Sequence, residues 1–236
     1  MLGIRPERLL SVWEQGARRH PVDRAVLLHA LAAPERPVDQ LADTPLGVRN
    51  AALMALRRAH FGGQLPAWVD CPACGERMEF TLDAADLPPA PTDGDAPIVV
   101  DGHRFRRPSS RHLAALVDAA DPDAAARQLL RDCAEAADAL PTDATTLAGL
   151  LDAAEAAIEA ADPWADLALA VACPACAHET EVSFDIASYL WEELDSHARR
   201  LLDDVHALAS AYGWSEPQIL ALSDARRAAY LARVQP

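Results

Sequence analysis

The chain has 236 residues, with 36 acidic against 21 basic side chains and a formal net charge of −15. That length buries a sizeable core in one large domain or two small ones, while the acidic surplus repels polyphosphate and anionic membranes and argues against a general nucleic-acid binder. No apolar run reaches the ~20 residues that span a bilayer, and Met1 to Arg8 lacks the apolar stretch of a secretory signal, so a soluble cytoplasmic protein is expected.

The first segment, residues 1–63, reads as helical. Arg5 to His20 carries Leu9, Leu10 and Trp13, and Val22 to Leu31 carries Val26, Leu27 and Leu31. A third helix is predicted over Leu46 to His60, with Val48, Leu53, Leu56 and Ala59 inward and Gly62-Gly63 ending it. The period then changes. Met78, Phe80 and Leu82 alternate with Arg77, Glu79 and Thr81 after Cys71-Pro-Ala-Cys74, the pattern of a half-buried strand.

Residues 84–96 are rich in Pro, Asp and Ala and read as a loop. Ile98 to Phe105 reads as a tight hairpin, because Asp101-Gly102 supplies the positive φ angles of a two-residue turn. Helices are predicted over Ser110–Ala119, Pro122–Ala137 and Thr145–Ala160. Leu167, Leu169 and Val171 restore the two-residue period ahead of Cys173-Pro-Ala-Cys176. A long amphipathic helix follows from Ile186 to Ala211, with Leu190, Leu194, Leu201, Val205 and Leu208 on one face and Asp195–Arg199 and Arg200–Asp204 as i,i+4 pairs. Ser215 and Gln218 have capping-box spacing for a short helix, and Ser223 starts the last one.

The two cysteine pairs lie in duplicated surroundings. Trp68 to Asp83 aligns without gaps on Ala170 to Asp185, matching Val69/Val171, both Cys-Pro-Ala-Cys units, Glu79/Glu181 and Asp83/Asp185. Each half is strand, knuckle, strand, and two such knuckles offer four thiolates to one tetrahedral zinc ion. Ribbons usually leave about 15–20 residues between the pairs, whereas nearly a hundred separate Cys74 from Cys173. Closing the longer loop costs roughly 1.5 kcal/mol more, against the ~10–16 kcal/mol that structural zinc contributes in finger peptides.

Zinc held by Cys71, Cys74, Cys173 and Cys176 is therefore expected. The competing readings are a thioredoxin-type redox turn, which needs a helix after the first cysteine, and plain buried or disulfide cysteines. His178 could displace a thiolate, although four cysteines already close the site, and Cys133 reads as a small core residue. His197 and His206 lack i,i+4 ligand spacing.

The expected fold is α+β and mostly helical. A discontinuous zinc ribbon (64–86 and 167–185) is interrupted by a hairpin-plus-helix insertion (87–166) and flanked by the helical regions 1–63 and 186–236. Arg104, Arg106, Arg107 and Arg111 form the only basic cluster, fit for a phosphate or an acidic partner or merely a solvated hairpin edge. No phosphate loop, His-Glu-x-x-His or Gly-x-Ser-x-Gly occurs, so no enzyme is expected.

Phe184 to Leu194, Ala198 to Leu208, Ala211 to Ser223 and Arg226 to Leu231 resemble the T4-type baseplate protein family. Phe105 to Leu113 and the two knuckles are similar to its zinc-ribbon members. The resemblance is best over the C-terminal third. It implies a non-enzymatic baseplate hub assembly chaperone, or a structural part, of contractile phage tails and phage-derived contractile injection systems. Baseplate or tail proteins are then the expected partners, contacted through the arginine cluster and a helical face around Trp191, Tyr212 and Trp214. The alternative is a zinc-ribbon nucleic-acid-binding or transcription-related factor using the same arginines.

Overall fold

The computed structural model describes residues 4–91 and 96–234; residues 1–3 of the N-terminal segment and 92–95 of the expected loop lie outside the described residues. The chain runs α1 (Pro6–Gly16), α2 (Pro21–Ala32), a single turn α3 (Val38–Leu41) and α4 (Leu46–Phe61) into the hairpin β1 (Gln64–Asp70) and β2 (Arg77–Asp83). A smaller hairpin, β3 (Ile98–Val100) and β4 (His103–Phe105), precedes α5 (Ser110–Ala115), α6 (Pro122–Cys133) and α7 (Ala144–Ala161). The second knuckle hairpin, β5 (Leu167–Ala172) and β6 (Glu179–Phe184), leads into α8 (Ile186–Tyr212), α9 (Glu216–Leu220) and α10 (Asp224–Val234). The architecture is α+β and mostly helical, as expected.

Local chemistry sets most boundaries. Pro6 and Pro21 open α1 and α2 at positions where a missing N–H costs nothing. Asp185 caps α8 by accepting from the amides of Ala187 (2.9 Å) and Ser188 (3.3 Å), and Gly213 stops it at φ 69°. Asp101 and Gly102, at φ 48° and 81°, make the expected hairpin turn. Ser215 and Gln218 form the capping box of α9.

The first and last segments fold together, with α1, α2 and α4 all packing on α8. Leu9, Leu10, Leu28, Leu53, Leu190 and Leu194 are buried there. Leu65, Ala84, Trp164 and Leu167 extend this core into the roots of the knuckle hairpins, so the ribbon stands on the bundle.

Helix α4 presents a face different from the expected one. Leu53 is buried, but Val48 and Leu56 are half-buried and Ala59 is exposed; Arg49, Asn50, Met54 and Arg57 point inward instead. The polar members are accommodated by partners. Arg57 donates to both carboxylate oxygens of Glu193 (3.0 and 2.8 Å) and to the Gly62 carbonyl (2.7 Å). Arg49 donates to Asn50 Oδ1 and Ser110 Oγ, and Asn50 donates to the Trp164 carbonyl at 2.8 Å. A hydrophobicity pattern scores arginine as outward, whereas burial follows from its partners. On α8, Asp195 and Arg199 pair at 2.8 Å as expected, but Asp204 takes Arg227 of α10 at 3.1 Å instead of Arg200.

The inserted segment has its own core of Phe105, Leu130, Cys133, Leu150, Leu151 and Ile158. Helix α6 ends at Cys133, not at the expected Ala137, because Ala134 turns extended and pairs with Phe105. The amide of Arg106 donates to the Cys133 carbonyl (2.7 Å) and that of Glu135 to the Arg104 carbonyl (2.8 Å), an isolated antiparallel bridge against the edge of the hairpin. Helix α5 likewise stops at Ala115, short of Ala119.

The insertion is also latched to the bundle. The Leu46 amide donates to the Pro108 carbonyl and the Arg111 amide to the Ala42 carbonyl, both at 2.9 Å. Pro45 gives α4 no side-chain cap, and Asp162 supplies one from the far end of the insertion by accepting from the Gly47 amide at 3.1 Å. Gly47 is required there, because a Cβ would stand 1.6 Å from Asp162 Oδ1.

Candidate metal centre

Each knuckle is built by its own backbone. In the first, the Gly75 amide donates to the Cys71 carbonyl (2.8 Å) and the Cys71 amide to the Glu76 carbonyl (2.8 Å). In the second, the Ala177 amide donates to the Cys173 carbonyl (2.8 Å) and the Cys173 amide to the His178 carbonyl (2.9 Å). The residue after each second cysteine is left-handed, Gly75 at φ 75° and Ala177 at φ 58°. That turn lifts both sulfurs of a pair to the same side.

The two hairpins are separate two-stranded antiparallel sheets. Val69, Met78 and Val171 pack around Cys71 and Cys173 to form a small core beneath the knuckles. The four sulfurs of Cys71, Cys74, Cys173 and Cys176 lie within 4.8 Å of one another. Across the hairpins, Cys71 Sγ stands 3.7 Å from Cys176 Sγ and Cys74 Sγ 3.6 Å from Cys173 Sγ. Thiolates held at ~2.3 Å around a tetrahedral ion lie about 3.8 Å apart, whereas a disulfide requires ~2.05 Å. The cysteines are free thiols, and their spacing fits one metal ion.

The electrostatics point the same way. Burial opposes the Cys71 thiolate, but the amides of Ala73 and Cys74 and the adjoining thiols of Cys173 and Cys74 prevail, lowering its pKa to about 7. The Glu76 amide favours the Cys74 thiolate, yet the Cys176 sulfur, burial and the other two thiols push it up to about 12. One thiolate is tolerated; a second in the same space is opposed unless a cation joins them. Cys71 and Cys173 are buried and Cys74 and Cys176 exposed, so an ion would be half sheathed.

His178 is exposed, offers its carbonyl to the knuckle and is outside the sulfur cluster. Cys133 lies in the insertion core, where burial pushes its thiol up to about 12. His197 is half-buried against Phe61, at 6.3 Å between rings, and His206 is exposed.

The arginine cluster does assemble. Arg106, Arg107 and Arg111 line a cleft of about 350 Å³ with Ser109 and His112, and Arg104 stands beside it through a 2.7 Å pair with Glu135. Arg111 is held by Asp43, whose carboxyl it keeps below the usual range.

The aromatic surface does not assemble as expected. Trp191 is 7% exposed, its ring against Gly16 and beneath the Arg24 guanidinium at 4.7 Å, so it belongs to the core and not to a contact face. An amphipathic pattern cannot separate a core tryptophan from a surface one. Tyr212 and Trp214 lie at the other end of α8, about 30 Å along its axis at 1.5 Å per residue. There they stack at 4.7 Å, with Tyr230 edge-on to both, and pin the corner into α10.

The fold and this site define the class: an α+β, mostly helical protein whose four clustered cysteines are consistent with a discontinuous zinc ribbon. Comparison with known proteins returns no matching family model, curated protein or solved structure.

Proposed function

We propose that the protein is a non-enzymatic zinc-ribbon factor that assists assembly of, or forms part of, the baseplate of a contractile phage tail or contractile injection system. The observation that carries the scaffold part is the convergence of four thiolates across two hairpins. A four-sulfur tetrahedral donor set suits zinc, and four protein ligands leave no open position for water or substrate, the mark of a structural rather than a catalytic site. The ion would cross-link the chain on both sides of the insertion and fix the ribbon on the helical bundle.

The baseplate reading rests on the resemblance of the C-terminal segments. The arginine-lined cleft and the Tyr212–Trp214 corner are the surfaces offered to tail subunits. Trp191 is withdrawn from that set because it is buried.

Metal analysis of untagged protein should give about one zinc per chain. Purified tail or baseplate subunits should bind the wild type and be lost when Arg104, Arg106, Arg107 and Arg111 are replaced together by Ala, with zinc content and Tm unchanged. Capture of nucleic acid instead, abolished by the same replacements, would overturn the assembly reading. Presence of the chain in purified particles separates a permanent subunit from a chaperone.

A further inference from the structure

In the β1–β2 register Trp68 lies opposite Glu79, Asp70 opposite Arg77 and Pro66 opposite Thr81. Alternation along each strand puts these six residues on one face. The other face, with Leu65, Val69 and Met78, turns inward. Trp68 is nevertheless 60% exposed, on the rim of a shallow depression shared with Pro66, Glu79 and Thr81. Burying an indole is among the most favourable things a fold can do with it, and this one is left in water.

The duplicated hairpin is an internal control. Ala170 occupies the position equivalent to Trp68 and lies opposite Glu181, so half a ribbon of this backbone forms without an aromatic there. The fold does not ask for Trp68.

We propose that this outer face docks a cationic segment of a partner protein, an arginine of which stacks on the free side of the Trp68 indole. The molecule already demonstrates the chemistry, since Arg77 holds its guanidinium 4.1 Å from the ring centroid. Asp70 engages Arg77 at 3.0 Å, so Glu79 beside the ring adds negative charge for an incoming cation. The two hairpins together carry six carboxylates against one arginine, a field that attracts a basic segment and repels the phosphates of nucleic acid. Tryptophan and arginine are also the side chains that dominate binding hot spots. The inference goes beyond the assembly reading and holds whichever particle the protein serves.

The test is fluorescence anisotropy of the full-length protein, as purified, with a labelled arginine–glycine peptide and, separately, a labelled oligothymidylate. The peptide should bind and the oligonucleotide should not. Trp68→Ala, which leaves the net charge unchanged, should weaken the peptide about three- to tenfold, and Glu79→Gln should weaken it less. Replacing Arg106 and Arg107 should leave peptide affinity undiminished. If alanine lowers the Tm of the hairpin, Trp68→Leu replaces it, being apolar but without a π face. Undiminished affinity in a folded Trp68 variant, or no peptide binding by the wild type, overturns the proposal. Oligonucleotide binding that is lost with Trp68 also overturns it, in favour of base stacking.

Discussion

The two knuckle hairpins pair their strands in the same antiparallel manner and close each turn with an amide-to-carbonyl bond of 2.8 Å, Gly75 to Cys71 and Ala177 to Cys173. Their inward positions agree at the cysteines of both corners and at Val69 and Val171 beneath them, while Met78 of the first is replaced by Thr180 of the second. Their outward positions agree at Glu79 and Glu181 but mostly differ. Trp68, Asp70 and Arg77 of the first hairpin stand where the second has Ala170, Ala172 and Glu179. The four cysteines and the valines beneath them are common to both halves, whereas most of the outward positions differ and carry none of the packing under the knuckles. The duplicated aspartates show the same backbone chemistry put to two uses. Asp83 accepts from the Ala85 amide and Asp185 from the Ala187 amide, both at 2.9 Å and two residues on. After Asp83 the chain enters a turn and then Pro88-Pro89, whereas after Asp185 a residue run suited to a helix continues for 27 residues.

The most damaging way to test the equivalence of the halves is at the sulfurs. Cys71→Ser and Cys173→Ser should each lower zinc affinity at least about 100-fold, since losing even a residue behind the ligands costs ~10–100-fold. Competition with a chromophoric chelator measures it. Near-equal losses support one shared site, and a mutant of either hairpin that keeps full affinity breaks the comparison. Chelation should raise amide exchange across residues 64–83 and 167–184 while the core of α1, α2, α4 and α8 stays protected.

A smaller contrast is expected at the aspartates. Asp185→Ala removes the cap of α8 and should cost about 1–2 kcal/mol, whereas Asp83→Ala loses a turn contact and an exposed 2.7 Å hydrogen bond from Gln64 and should cost about 0.5 kcal/mol. Urea unfolding of both variants gives the difference, and a reversed order would mean that α8 does not depend on its cap.

The left-handed positions should respond with opposite signs. Gly75→Ala should destabilise by about 1 kcal/mol, and Ala177→Gly should stabilise by up to about 1 kcal/mol, because a β-carbon is strained at positive φ. The smallest effect is on the outer face. Trp68→Ala should change stability by less than about 0.5 kcal/mol, the value expected if Ala170 is a fair guide, and a loss several times larger would make Trp68 a structural residue.

The four-cysteine cluster was legible because cysteine spacing and its duplication are properties of the chain itself. So were the strand alternation around each knuckle, the Asp101-Gly102 turn and the apolar face of α8, all of which depend on neighbours a few residues apart. Tertiary structure alone decided which side of α4 is inward, since Arg49, Asn50 and Arg57 are buried through partners as distant as Ser110, Trp164 and Glu193. It also decided that α6 stops where Ala134 finds Phe105, and that Asp162 caps a helix more than a hundred residues earlier. The two tryptophans Trp191 and Trp68 show the same dependence. Trp191 sits on an amphipathic helix and Trp68 on an alternating strand, and nothing local distinguishes a core from a surface ring. Burial depends on what packs against a face: α1 and α2 cover Trp191, while the outer face of the first hairpin leaves Trp68 open to water.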